Sequence, residues 1–225
     1  MTRRRSAGLQ SQLVDVSRRC YLRGWALGTS GNFSAVLSRR PLRLAITASA
    51  VPKGRLGPAD ILECDDRGEV VGRPANGAAA ARKPSAETLL HLEIARLRQT
   101  GAVLHTHSVW TTVLSDLHAK EGGIHLEGYE MLKGLAGVTS HQHREWIPIV
   151  ANDQNMPRLA RRVRRALERF PEAHAVLLRR HGLYTWGDTL EDAERHIEIL
   201  EFLFESIGRQ AALEGADRRH GLHKR

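Results

Sequence analysis

Three features of this 225-residue chain predict an α/β fold built on a mixed or antiparallel sheet. Short apolar runs alternate with amphipathic segments from end to end, which is how strands and helices come to share one core. Several neighbouring runs are joined by turns too short to hold a crossover helix, so they pair antiparallel. Two runs, 101–104 and 175–178, lead straight into polar segments that carry histidine.

Leu9, Leu13, Val14, Val16 and Tyr21 suggest an opening helix to about residue 27, where Gly28-Thr29-Ser30-Gly31-Asn32 breaks it. Strands follow at 33–37 and 42–47. The runs 61–64 and 69–71 flank Asp65-Asp66-Arg67-Gly68, which reads as a hairpin turn. Residues 72–83, rich in Gly, Ala and Pro, form a loop, with the alanines at 78–81 open to a helical turn. Leu89, Leu92, Ile94, Ala95 and Leu97 indicate a helix over 85–99, with Ser85 placed to cap it. A strand at 101–104 and a helix at 109–117 come next, then a strand at 146–150 and a basic helix at 156–170. Asp188-Thr189-Leu190-Glu191 has capping-box spacing before a long helix through Ile197, Leu200, Leu203, Phe204 and Ile207.

The chain reads as a single domain over residues 1–225, with frayed polar tails at 1–8 and 215–225. Hydrophobic content of 41% is ordinary for a globular protein. No apolar stretch approaches the roughly 20 residues of a membrane helix, and the basic start Met1-Thr2-Arg3-Arg4-Arg5 has no apolar segment behind it to make a secretory signal. Cys20 and Cys64 lack metal or redox spacing and read as small buried hydrophobes. A cytoplasmic enzyme without a membrane partner fits these bounds. The net charge of +9 raises the question of nucleic acid. Its densest run, 158–169, interleaves Leu159, Val163, Ala166 and Leu167 as one apolar helix face, and no aromatic platform accompanies it. Nucleic acid is therefore not expected as a partner, whereas an anionic small molecule suits the charge.

His105-Thr106-His107 closes the strand at 101–104. Side chains at i and i+2 of a strand leave the same face, about 6.5–7 Å apart along the backbone, so two imidazoles there can converge on one ion. The second run delivers Arg179-Arg180-His181-Gly182. Three imidazoles from two buried strands are the inventory of an open zinc site, with three protein ligands and a position left for substrate.

Gly28-Thr29-Ser30-Gly31-Asn32 offers backbone N–H groups, hydroxyls and an amide that can cradle an anion, though the same residues also make a plain turn. Thr47-Ala48-Ser49 with Lys53, and Lys83-Pro84-Ser85 at a helix N-terminus, add further candidate phosphate contacts. Glu87 in the first helical turn can serve the helix dipole alone, and Glu130 can be a solvated helix-start carboxylate.

In this order and spacing the motifs resemble the class II aldolase/adducin family over about residues 10–213. Gly28-Thr29-Ser30-Gly31-Asn32, Lys83-Pro84-Ser85-Ala86-Glu87, His105-Thr106-His107 and Arg180-His181-Gly182 are similar to the family as a whole. The segments 127–135 and 179–187, with Ile147-Pro148-Ile149 and Asn152, resemble its dehydratase branch. The resemblance implies a three-layer α/β/α sandwich around a largely antiparallel sheet, and homotetramers with sites near subunit interfaces. It implies one zinc per subunit on His105, His107 and His181, and phosphate contacts at Gly31, Asn32, Ser49 and Ser85. Glu130 falls where the dehydratases place their catalytic acid/base. Glu87 falls where the sugar-phosphate aldolases place theirs. The implied reaction is loss of water from a 5-methylthio-2-ketose 1-phosphate in methionine salvage, without a redox cofactor. Aldol cleavage or epimerisation of a sugar phosphate is the alternative, and a non-catalytic scaffold of the adducin type has no need of this histidine set. One departure is Ala50, where relatives usually carry glycine; alanine resists a left-handed backbone. The remaining histidines, among them His91, His125, His141, His143, His174 and His196, read as surface or satisfied residues.

Overall fold

The computed structural model describes residues 3–72 and 82–221. Among the described residues the α-helices are α1 (Arg3–Leu22), α2 (Thr88–Arg98), α3 (Val109–Leu117), α4 (Met156–Arg169) and α5 (Leu190–Gly221). Eight strands are β1 (Asn32–Arg39), β2 (Leu42–Thr47), β3 (Ile61–Cys64), β4 (Ala102–Thr106), β5 (Gly123–Leu126), β6 (Glu145–Val150), β7 (Ala175–Leu178) and β8 (Gly182–Gly187). They form one sheet in the order β3-β2-β1-β4-β8-β7-β6-β5, antiparallel throughout except for the parallel pair β6/β7.

The two faces of the sheet carry separate cores. On one, Leu104, Leu183 and Leu177 pack with Leu13, Leu114, Leu200 and Phe204 from α1, α3 and α5. On the other, Val103, Tyr184 and Val176 meet Leu90, Ile94, Leu159 and Val163 from α2 and α4. The expected three-layer sandwich around a largely antiparallel sheet is what the chain forms. β4 and β8 lie at its centre, with His105 opposite Tyr184 and Thr106 opposite Leu183.

Several boundaries differ from those the sequence suggests. α1 ends at Leu22, five residues early, because Gly24 takes φ +78° and the last turn closes with Gly24 N–H to Tyr21 O and Trp25 N–H to Cys20 O. Beyond Asp65-Asp66-Arg67-Gly68, residues 69–71 contribute only a single bridge, Cys64 to Val70. α2 begins at Thr88 rather than Ser85; Ser85 accepts from the Glu87 backbone through its hydroxyl and from the Thr88 hydroxyl through its carbonyl. The cap of α5 is Thr189, paired with Asp192 rather than Asp188 with Glu191, and the helix continues through Gly215 to Gly221. The alanines at 78–81 lie outside the described residues. Cys20 and Cys64 are buried free thiols, raised in pKa chiefly by that burial.

Candidate metal centre and active site

His105 is the penultimate residue of the central strand β4, His107 follows directly after that strand, and His181 sits in the turn from β7 to β8. The turn is held by Arg180 at φ +55°. Gly182 lets β8 close on β4, since a Cβ there would lie 1.9 Å from the Thr106 carbonyl oxygen. The three imidazoles converge through their Nε2 atoms: His105 to His107 is 2.8 Å, His107 to His181 3.1 Å and His105 to His181 3.4 Å.

The surrounding acceptors fix which nitrogens are bare. His105 Nδ1 lies 2.9 Å from the Leu183 carbonyl, which can only accept, so Nδ1 carries the hydrogen and Nε2 is a lone pair. His181 Nδ1 is directed likewise at Asn152 Oδ1, 3.4 Å away. Burial is the largest cause lowering the pKa of all three rings, reinforced for His105 and His107 by their histidine neighbours; His107 falls to about 3. They are neutral at pH 7, the form that binds metal. Tetrahedral zinc with nitrogens at about 2.0–2.1 Å spaces its ligand atoms about 3.3 Å apart, close to the spacing seen. The residues present therefore fit a three-histidine metal centre.

Glu87 completes this cluster, with Oε2 3.5 Å from His105 Nε2 and Oε1 3.3 Å from His181 Nε2. Its Oε2 accepts from Asn32 Nδ2 at 2.6 Å. Tyr184 stacks on His105 with ring centroids 3.8 Å apart. Burial first, and then the nearby Glu87 carboxylate, push the Tyr184 phenol well above its ordinary pKa.

His107, His181 and Glu87 open into a cavity of about 250 Å³. Gly31, Asn32, Ser49 and Ser85 line it, and so does Lys53. Gly31 takes φ +72°, and a Cβ there would meet the His105 carbonyl at 2.8 Å. The Lys53 ammonium donates to the carbonyls of Thr29 and Val51, and burial lowers its pKa to about 8. Ala50 does adopt the left-handed backbone, at φ +58°, so the loop keeps its form without glycine.

Glu130 is not brought to this cavity within one chain. It opens a short 3-10 helix, Glu130–Gly134, with a side chain 73% exposed and paired with Lys133. That hydrogen bond is the largest cause holding its pKa below the ordinary carboxylate value. The segment is fastened from behind: Ala136 donates its N–H to His196 Nε2 and accepts from His174 Nε2, and Arg195 donates to the Gly134 carbonyl. His174 also contacts the buried Glu145, whose Oε2 lies 2.7 Å from His143. Burial opposes a charged His174, but the hydrogen bond and charge of Glu145 raise its pKa on balance. These histidines border a separate cavity of about 760 Å³ at the opposite end of β4 and β8.

The residue the sequence reading passed over is His91. It is fully buried and satisfied, and one of the two partners that satisfy it is the cavity-lining Asn32. Its one local signal is its place four residues after Glu87, one helical turn on.

Comparison with known proteins agrees with this geometry. The model of the Class II Aldolase and Adducin N-terminal domain matches residues 11–207. Methylthioribulose-1-phosphate dehydratase of Pseudomonas fluorescens (strain Pf0-1) is 46% identical over 198 residues, covering 88% of this chain and 90% of that protein. The enzyme of the same name from Methylococcus capsulatus is 46% identical over 196 residues, covering 87% and 90%. Among solved structures, YgbL of Escherichia coli superposes with a TM-score of 0.72 at 25% identity, covering 90% of this chain and 89% of its own. L-fuculose-1-phosphate aldolase of Thermus thermophilus gives 0.72 at 24% identity, covering 93% and 98%. The sheet order, the histidine centre and these matches together place the chain in the class II aldolase/adducin family.

Proposed function

We propose that this protein is a cytoplasmic hydro-lyase of methionine salvage that removes water from 5-methylthioribulose 1-phosphate, giving 5-methylthio-2,3-diketopentyl 1-phosphate. The observation that carries the reading is the convergence of three imidazole Nε2 atoms and Glu87 on one small cavity that also presents Lys53. The identity of about 46% to enzymes named for this reaction selects it from the chemistries the fold can host.

His105, His107 and His181 would hold zinc, which would supply Lewis acidity toward the ketose oxygens when bound. Lys53, Ser49, Ser85 and the backbone at Gly31 receive the phosphate. The Lys53 ammonium, lowered only to about 8, is still mainly charged at pH 7. Glu87 accepts a hydrogen bond from a substrate hydroxyl and orients it. Glu130 takes the C3 proton and returns one to the departing C4 hydroxyl, so that one water leaves and the enol tautomerises to the diketone. Such acid–base assistance is worth about 10²–10⁴-fold. Glu130 acts from a neighbouring copy in a homotetramer, because in its own chain it faces outward. An apolar stripe on α3, with Val109, Val113 and Leu117 exposed, gives such copies a surface to share.

The test is incubation of purified protein with methylthioribulose 1-phosphate. A diketone product supports the reading, and a three-carbon fragment replaces it with aldol cleavage. Glu130→Gln should lose about 10²–10⁴-fold in turnover with metal retained, whereas His181→Ala should lose the metal. Mixed tetramers of these two inactive variants should regain activity, because one subunit supplies the metal centre and another the glutamate. No recovery in verified mixed tetramers removes the shared site and leaves Glu87 as the acid/base.

A further inference from the structure

Glu87 is held by Asn32, and Asn32 is held in turn by a residue far from solvent. The ring of His91 lies on the buried face of α2, edge-on to Tyr184 with centroids 5.7 Å apart. Its Nε2 contacts Asn32 Oδ1, and its Nδ1 lies 2.7 Å from Ser34 Oγ. Asn32 and Ser34 leave the same face of β1, so one strand and one helix present all three groups together.

The polarity of these contacts is determined. An amide oxygen can only accept, so His91 Nε2 carries the hydrogen. Burial lowers the His91 pKa to about 3, which keeps the ring neutral and leaves Nδ1 as an acceptor for the Ser34 hydroxyl. Asn32 Nδ2 then donates to Glu87 at 2.6 Å. Every hydrogen in the chain points toward the carboxylate. Turning the amide over would set its oxygen against Glu87 and its NH₂ against the His91 N–H, so the neutral ring locks the amide in one orientation.

We propose that Ser34 and His91 are positioning residues: the array Ser34→His91→Asn32 aims the Asn32 amide, and through it the Glu87 carboxylate, at the three metal-binding histidines. One Asn32 N–H remains for substrate, so the same amide sets the distance between substrate and carboxylate. The catalytic consequence rests on the dehydratase reading above; the placement of Glu87 does not.

The experiment compares His91→Phe, which keeps an aromatic ring but neither hydrogen bond, with His91→Gln, which retains a donor. Ser34→Ala tests the far end without changing the ring. Metal content and thermal midpoint check the centre and the fold. The visible spectrum of cobalt-loaded protein reports the environment of the nitrogens, 3.3–3.5 Å from Glu87, without any turnover. His91→Phe should keep one metal per chain and lower kcat about 10²-fold, with a smaller change in KM. It should shift the cobalt spectrum in the same direction as Glu87→Gln. His91→Gln should recover at least half of the logarithmic loss, and Ser34→Ala should fall between wild type and His91→Phe. If His91→Phe unfolds, Ser34→Ala and His91→Gln decide by the same spectral shift. Wild-type kcat and spectrum in a folded variant lacking the array overturn the proposal, as does a loss that tracks only with metal content or thermal midpoint. A wild-type protein that does not dehydrate the substrate, while His91→Phe still shifts the cobalt spectrum, rejects the activity and keeps the positioning role.

Discussion

Glu201 makes stability depend on pH in a direction opposite to that of most carboxylates. It lies on α5 beneath β4, where Thr106, the residue between His105 and His107, donates its hydroxyl to Glu201 Oε1. Burial pushes its carboxyl from the ordinary 4.5 up to about 7, against the opposing hydrogen bonds of Ser108 and Thr106. Below pH 4.5 the folded and unfolded chains both hold the proton, and the contribution to stability is fully present. Between 4.5 and 7 only the folded chain holds it, so stability falls by about 1.36 kcal/mol per pH unit. The gap of about 2.5 units is then worth about 3 kcal/mol, and above pH 7 no further loss occurs. Glu201→Gln keeps the acceptor for Thr106 and removes the titration. Urea unfolding of both proteins, with chelator present so that metal does not contribute, should show the wild type losing about 2–3 kcal/mol relative to the variant between pH 5 and 8. A difference between the two proteins that stays constant over that range refutes the argument.

Two other substitutions test the backbone around the centre. Gly182→Ala sets a methyl group against the Thr106 carbonyl, which has a sheet on both sides and nowhere to retreat. It should cost about 1–3 kcal/mol and weaken metal retention through His181; unchanged melting with full metal content would contradict the packing. Ala50→Gly exchanges a left-handed alanine, which costs about 1–2 kcal/mol, for the roughly 0.5–1 kcal/mol entropic cost of glycine. The variant should be as stable as wild type or about 1 kcal/mol more so in a urea titration, and clear destabilisation would show that the methyl group packs favourably.

Much of the centre was legible because its signals are local. His105-Thr106-His107 closes a strand whose apolar run is plain, and α3 and α4 are bounded by Ser108 and Asn155 as side-chain caps. What stayed hidden depends on residues distant in the chain. β8 is buried on both faces, so Gly182-Leu183-Tyr184-Thr185-Trp186-Gly187 shows no alternation to mark it as a strand. His91 and Asn32 are 59 residues apart and meet only when α2 packs on β1. Glu201 is the exception with a readable sign, since it stands four residues after Ile197 on the apolar face of α5 and so had to be buried. The place of Glu130 could not be read from one chain at all, for its side chain is directed away from the body that carries it.

The central pairing of β4 with β8 also sets when the centre can come into being. His105 and His181 are 76 residues apart, and the contact between them exists only once the β7–β8 turn has closed onto the middle of the sheet. An ion held by both is a cross-link across that long loop, fastening the last hairpin of the sheet to its middle strand. Any excursion that peels β7 and β8 away opens the chelate, so the rate of metal release should report the local opening of this hairpin rather than the strength of the individual nitrogen–metal bonds.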